Sequence, residues 1–280
     1  MTLPSIQTAQ GKIGLVELDL APQLAELIGL DLSLPDNVKT IQEILEKIGR
    51  ISAVQATGLV VDPIYSFGIA QTGGKAGFLT RLTAFSEVVD PVAVPALIPN
   101  YGLEEMRNNY SLAELELYYH PQEENALIKK QLLAEIYDYC DYLDIDLLLK
   151  LIVYSPANHE LTQESFQQDQ LQAVQELRST ADVLALQYPL DPLAVATMTA
   201  ELDIPWILQT QAQSYEEYKK ELRICLENGA VGFTAGVNLW REIKKFKLAD
   251  KSPDLASINQ FFETIFQDRL IELMRITQES

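Results

Sequence analysis

Short apolar runs alternate with longer amphipathic stretches along the whole chain. The short runs GLVELDL (14–20), ATGLVVDP (56–63), GFLTRLT (77–83), LAELELYY (112–119), DLLLKLIVY (146–154), DVLALQYP (182–189), PWILQTQ (205–211) and AVGFTAGV (230–237) read as buried strands. IQEILEKIGRI (41–51) and ENALIKKQLLAEIYDYCDYL (124–143) carry apolar residues at helical spacing. SYEEYKKELRICLENG (214–229) opens on Ser214 with Glu217 three places on, a capping box, and closes on Gly229 as a C-terminal cap. The tail INQFFETIFQDRLIELMRI (258–276) is a further amphipathic helix, with Phe261, Phe262, Ile265 and Phe266 at helical spacing, and it is expected to cover the floor or side of the domain. Eight strands, most followed by a helix, predict an α/β fold: one (β/α)8 TIM-barrel domain over 1–280 with a C-terminal helix. A doubly wound open sheet is the alternative, but LDLAPQL follows the first strand where that fold puts a Gly-rich turn. The Pro- and Val-rich stretch 86–109 reads as an irregular crossover between strands three and four, and no linker divides the chain.

Strand residues alternate between barrel interior and helix layer. In the fourth strand Leu115 and Leu117 take the helix side, which sends Glu114, Glu116 and Tyr118 inward. Lys150 interrupts an otherwise apolar fifth strand. Glu17 and Asp19 share a parity on the first strand, and Arg81, Gln187, Gln209 and Gln211 are the polar positions of later strands. A charge buried alone is costly, so these groups must pair or reach water, and Glu114 with Lys150 is the pair expected across neighbouring strands. Asp62, in VVDP, is a candidate turn cap.

Composition narrows the function classes. A formal net charge of −19, from 21 basic and 40 acidic residues, repels phosphate backbones and anionic lipid, so neither nucleic acid nor membrane is an expected partner. The two cysteines, Cys140 and Cys225, fall in helical stretches and read as packed small side chains. With only His120 and His159 besides, no zinc-ligand spacing exists, and no metal or other cofactor is expected. The N-terminal residues lack a basic region followed by an apolar core, and no apolar run approaches membrane-spanning length, so the expected location is the cytosol.

Five phrases, taken in order, carry a resemblance. AVGFTAGVNLWRE (230–242), LAELELYYHPQEE (112–124), DLLLKLIVYSP (146–156), ATGLVVDPIYSFG (56–68) and IGLVELDLAPQL (13–24) resemble the eighth, fourth, fifth, second and first strands of class I aldolases of the tagatose 1,6-bisphosphate aldolase family. The resemblance implies reversible cleavage of a ketose bisphosphate through a Schiff base on a strand-six lysine. It also implies an assisting strand-four lysine and strand-five glutamate, and a phosphate-gripping Arg after strand eight. Carried over, the Schiff-base lysine falls on Ala185 and its companion glutamate on Gln187. The strand-four lysine falls on Glu114, the strand-five glutamate on Lys150 and the phosphate Arg on Val237. The strand-one Asp-Gln-Arg falls on Asp19-Leu20-Ala21.

Three readings stay open. In the first the chain is a pseudo-aldolase with a binding or assembly role, since alanine forms no imine. In the second it is an active carbon–carbon lyase with Lys150 as Schiff-base lysine and Glu114 and Asp19 beside it. In the third Glu17, Asp19 and Glu116 serve proton transfer or a divalent metal. Asp62, Arg81, Gln187, Gly232 and Gly236 are the candidate contacts to a sugar phosphate or other small anion. A protein partner is possible in the first reading, and a homo-oligomer is expected by analogy with related barrels.

Overall fold

The computed structural model describes residues 2–71, 75–86, 89–156, 162–211 and 213–280; His159 lies outside them. Eight parallel strands close into a barrel in chain order: β1 (Ile13–Glu17), β2 (Gly58–Val61), β3 (Gly77–Arg81), β4 (Leu112–Tyr119), β5 (Leu147–Val153), β6 (Val183–Leu186), β7 (Trp206–Leu208) and β8 (Gly232–Ala235). The fold is a (β/α)8 barrel, as the alternation predicts. Most strands end earlier than their apolar runs. The polar residues just past them, among them Asp19, Asp62, Gln187 and Gln209, stand at the C-terminal rim.

The helix layer comprises α1 (Ala21–Ile28), α2 (Pro35–Gln55), α3 (Leu103–Asn108), α4 (Ala126–Tyr142), α5 (Gln163–Leu177), α6 (Pro192–Ala200), α7 (Tyr215–Glu227), the short α8 (Val237–Trp240), α9 (Leu255–Phe261) and α10 (Gln267–Glu279). The Ser214–Glu217 capping box at the start of α7 forms as its spacing predicts. Asp191 caps α6 through the backbone N–H groups of Leu193 and Ala194. α9 and α10 are one run joined by a π turn at Phe262–Phe266. The run lies on the barrel's side, packed on α2, α7 and β1, with Phe261, Phe262 and Phe266 buried and Ile265 exposed.

The pleat parity holds on β4. Leu115 and Leu117 belong to the outer core between strands and helices, whereas Ile13, Leu15, Val60, Leu79, Leu112, Leu148, Val183, Ala185 and Ile207 fill the interior with Ile6. Ile6 closes the floor from a 3-10 turn at Leu3–Ile6, in space left by Gly58 and Gly77. Burying such a side chain contributes about 1.5–3 kcal/mol. The interior is therefore apolar in its lower half, and charge enters only one layer higher. Between β3 and β4 the crossover is anchored by an antiparallel bridge, Thr83 to Leu97, before α3 begins.

Candidate functional site at the barrel mouth

Lys150 sits at the centre of the upper layer. Its Nζ lies 2.8 Å from Glu17 Oε1 and 3.2 Å from Glu116 Oε2. Glu116 is its register partner on β4. Glu17 comes from β1, four strands away around the barrel, so that bond crosses the axis. The expected Glu114–Lys150 pair is thus corrected. The register puts Glu114 one two-residue step lower, opposite Leu148 on β5 and Arg81 on β3, and makes Glu116 the neighbour of Lys150. Burial works against the charge on Lys150, but Glu17, Glu116, Glu114 and Asp19 together outweigh it and raise its pKa well above the ordinary lysine value.

Arg81 is equally engaged. Its Nη1 lies 2.9 Å from Asp19 Oδ2, and its Nε donates to Thr83 O at 2.8 Å. Burial opposes its charge and Asp19 restores it, leaving the guanidinium firmly protonated. Asp62 accepts from the backbone N–H groups of Ile64 and Tyr65, each at 2.7 Å, so it caps the turn after β2. Gln187 accepts from Val153 N at 2.8 Å and ties β6 to β5. Gly232 begins β8 at the floor end, against Ile13 of β1. Gly236 follows the other end of that strand, and its N–H donates to Asn238 Oδ1 at 3.0 Å. The two glycines therefore do not share one anion cradle. Ala185 points into the interior, fully buried and in register with Lys150.

Glu114 is the acid of this layer. Burial, then the charge of Asp19, pushes its carboxyl up to about 8, against the partial opposition of Lys150 and Arg81. A carboxyl raised on folding stabilises the fold fully below its unfolded pKa and loses that contribution as pH climbs through the folded value. The Glu114→Gln variant is therefore expected to gain stability relative to the parent as pH rises from 5 to 9. Urea denaturation of the two proteins across that range checks it; parallel curves would contradict the assignment.

Sequence reading passed over a second cluster. Beyond β4 and β5, the fully buried Lys129 Nζ donates to Pro91 O (2.6 Å), Tyr118 O (2.8 Å) and Glu123 Oε2 (2.8 Å). Tyr154 donates to the same Glu123 oxygen at 2.5 Å, and His120 Nε2 lies 3.3 Å from Asp169 Oδ2. The run HPQEE after the double tyrosine was the available signal. These groups brace loops to α4 and α5. Among the described residues no group of three His, Cys, Asp or Glu side chains is placed to hold a metal ion, and the carboxylates of Glu17 and Glu116 close on Lys150 instead.

No protein-family model matches the chain, and no curated protein matches it. Solved structures do. An archaeal fructose-1,6-bisphosphate aldolase, solved with its catalytic Lys covalently bound to the carbinolamine intermediate of the substrate, superimposes with a TM-score of 0.64 over 97% of this chain and 96% of its own, at 17% identity. The chain has the fold of the fructose-bisphosphate aldolase barrels. The fructose-bisphosphate aldolase of Slackia heliotrinireducens matches with a TM-score of 0.62 at 14% identity, over 100% of this chain and 95% of that one. A protein from Corynebacterium glutamicum matches with a TM-score of 0.64 at 12% identity, over 95% and 88%. Among the described residues of this aldolase-fold chain, Lys150 is the lysine that projects inward from a barrel strand. No helix among those residues is long and apolar enough to cross a membrane.

Proposed function

We propose that this chain is a diverged barrel of the tagatose 1,6-bisphosphate aldolase type that performs no imine chemistry and uses its mouth to bind a ligand. The observation that carries the reading is the state of Lys150. An imine needs the neutral amine, and the Lys150 ammonium is held by Glu17 and Glu116 with its pKa raised. A lysine activated for attack needs the opposite, desolvation without compensating carboxylates. Ala185, its register neighbour on β6, offers only a methyl group.

The test is borohydride reduction in the presence of fructose 1,6-bisphosphate, tagatose 1,6-bisphosphate or dihydroxyacetone phosphate, followed by peptide mass spectrometry. No lysine peptide is expected to gain substrate mass, and bisphosphate cleavage is expected at the rate of buffer alone. A substrate-modified Lys150 peptide would establish the competing reading, an active lyase with Lys150 as the Schiff-base lysine.

A further inference from the structure

We infer that a cavity outside the barrel, between α5 and α6, binds a neutral, fused-ring aromatic molecule that carries an N–H or O–H donor. It is a second site, independent of the mouth. Gln163, Gln167 and Gln170 stand at i, i+4 and i+7, so one stripe of α5 carries all three amides. Their Nε2 groups donate to Leu190 O (3.4 Å), Pro189 O (2.8 Å) and Gln187 O (2.8 Å). These rungs fasten the loop between β6 and α6 onto α5, so the cavity walls are set before any ligand arrives.

The cavity has a volume of about 260 Å³ and opens to solvent. An enclosed apolar cavity of about 150 Å³ takes benzene, so this one has room for a second fused ring. Its apolar walls are Leu171, Pro189, Leu193, Ala194 and Met198. Met198 is 2% exposed, so the cavity reaches the core, and its thioether favours an aromatic edge. Leu193 is 75% exposed and offers apolar surface for a ring to cover. A concave, mostly apolar space with a few placed polar groups is the usual form of a small-molecule site.

A buried polar atom indicates the ligand's chemistry. Gln170 lines the cavity at 1% exposure and spends its Nε2 on Gln187, which leaves its Oε1 buried without a partner. Among the described lining residues it is the buried side-chain atom so left. Gln167 is committed to Pro189, and Thr197 Oγ1 donates to Leu193 O at 2.9 Å. A buried acceptor calls for a donor, and an amide oxygen takes a neutral N–H or O–H. Charge excludes an acidic ligand. Glu164 and Asp191 are among the lining residues and no Lys or Arg is, so a carboxylate would meet its own sign.

Isothermal titration calorimetry of the full chain at pH 7 tests this with indole, benzofuran and indole-3-acetate. Benzofuran keeps the shape of indole but has an ether oxygen in place of the N–H. Indole is expected to bind at least about fivefold more tightly than benzofuran, and indole-3-acetate to give no binding heat. Gln170→Met is expected to bring indole down to the benzofuran level. Should that variant fail to fold, the parent's preference for indole over benzofuran carries the same point. Ala194→Trp fills the cavity from α6 and is expected to abolish indole binding; should it fail to fold, Thr197→Phe fills the same space from an exposed position. No binding of indole, equal affinity for indole and benzofuran, indole-3-acetate as tight as indole, or indole binding that survives the filled cavity would each overturn the inference. A borohydride adduct on Lys150 would sink the binding reading of the mouth and leave this site untouched.

Discussion

Lys150→Met is expected to destabilise the protein by about 3–5 kcal/mol, the usual cost of removing one partner from a buried ion pair. The Lys150 and Glu17 side chains are 10% and 2% exposed, so water does little to compensate the carboxylates left behind. Two acids lose their counter-ion at once, because Glu116 shares the same ammonium. The double variant Lys150→Met/Glu17→Gln should recover much of the loss. Its amide oxygen can still accept from Thr234 Oγ1, which lies 3.3 Å from Glu17 Oε1, and it brings no charge. Urea unfolding at neutral pH measures both. A single variant as stable as the parent would mean that the ion pair contributes nothing, and the picture of Lys150 as a held ammonium would fall with it.

Among the described glycines, Gly232→Ala is expected to be the most damaging single added methyl. A Cβ there would stand 1.7 Å from the carbonyl oxygen of Ile13, a backbone atom that cannot swing aside. The contact falls on the β1–β8 seam, the pairing that closes the barrel. Overpacking usually costs about 1–3 kcal/mol, and a backbone clash at the closure belongs at or beyond the top of that range. Gly68→Ala is the control, since a Cβ on Gly68 meets nothing within 4 Å. Thermal unfolding should show a large drop for the first and little change for the second. Similar melting temperatures would mean that the seam yields more easily than this geometry allows.

The barrel was legible because strand and helix signals differ in period, and eight strand runs stood out in order. The helices left unread lacked contrast. Pro192–Ala200 is apolar nearly all round, and Gln163–Leu177 is so rich in glutamine that its buried face, Phe166, Ala173, Val174 and Leu177, is thinly marked. Parity sent Glu114 and Glu116 inward on β4, Lys150 stood out as the one charge in an apolar strand, the resemblance singled out Ala185, and the VVDP turn pointed to Asp62 as a cap. Parity could not say which acid meets Lys150, because that depends on the stagger between strands and on a reach across the axis. Glu17 and Lys150 are 133 positions apart, and no local pattern couples them. A similar limit hid the opposite placement of Gly232 and Gly236, which depends on where β8 starts and stops.

The bond from Lys150 to Glu17 also bears on the lifetime of the native state. A link between opposite walls has no counterpart in a half-assembled barrel, since both walls must first stand at their final separation. Interactions absent from the folding transition state govern escape from the native basin and leave the approach to it unchanged. This salt link is therefore expected to act as a latch, its removal speeding the opening of the closed barrel more than it slows assembly.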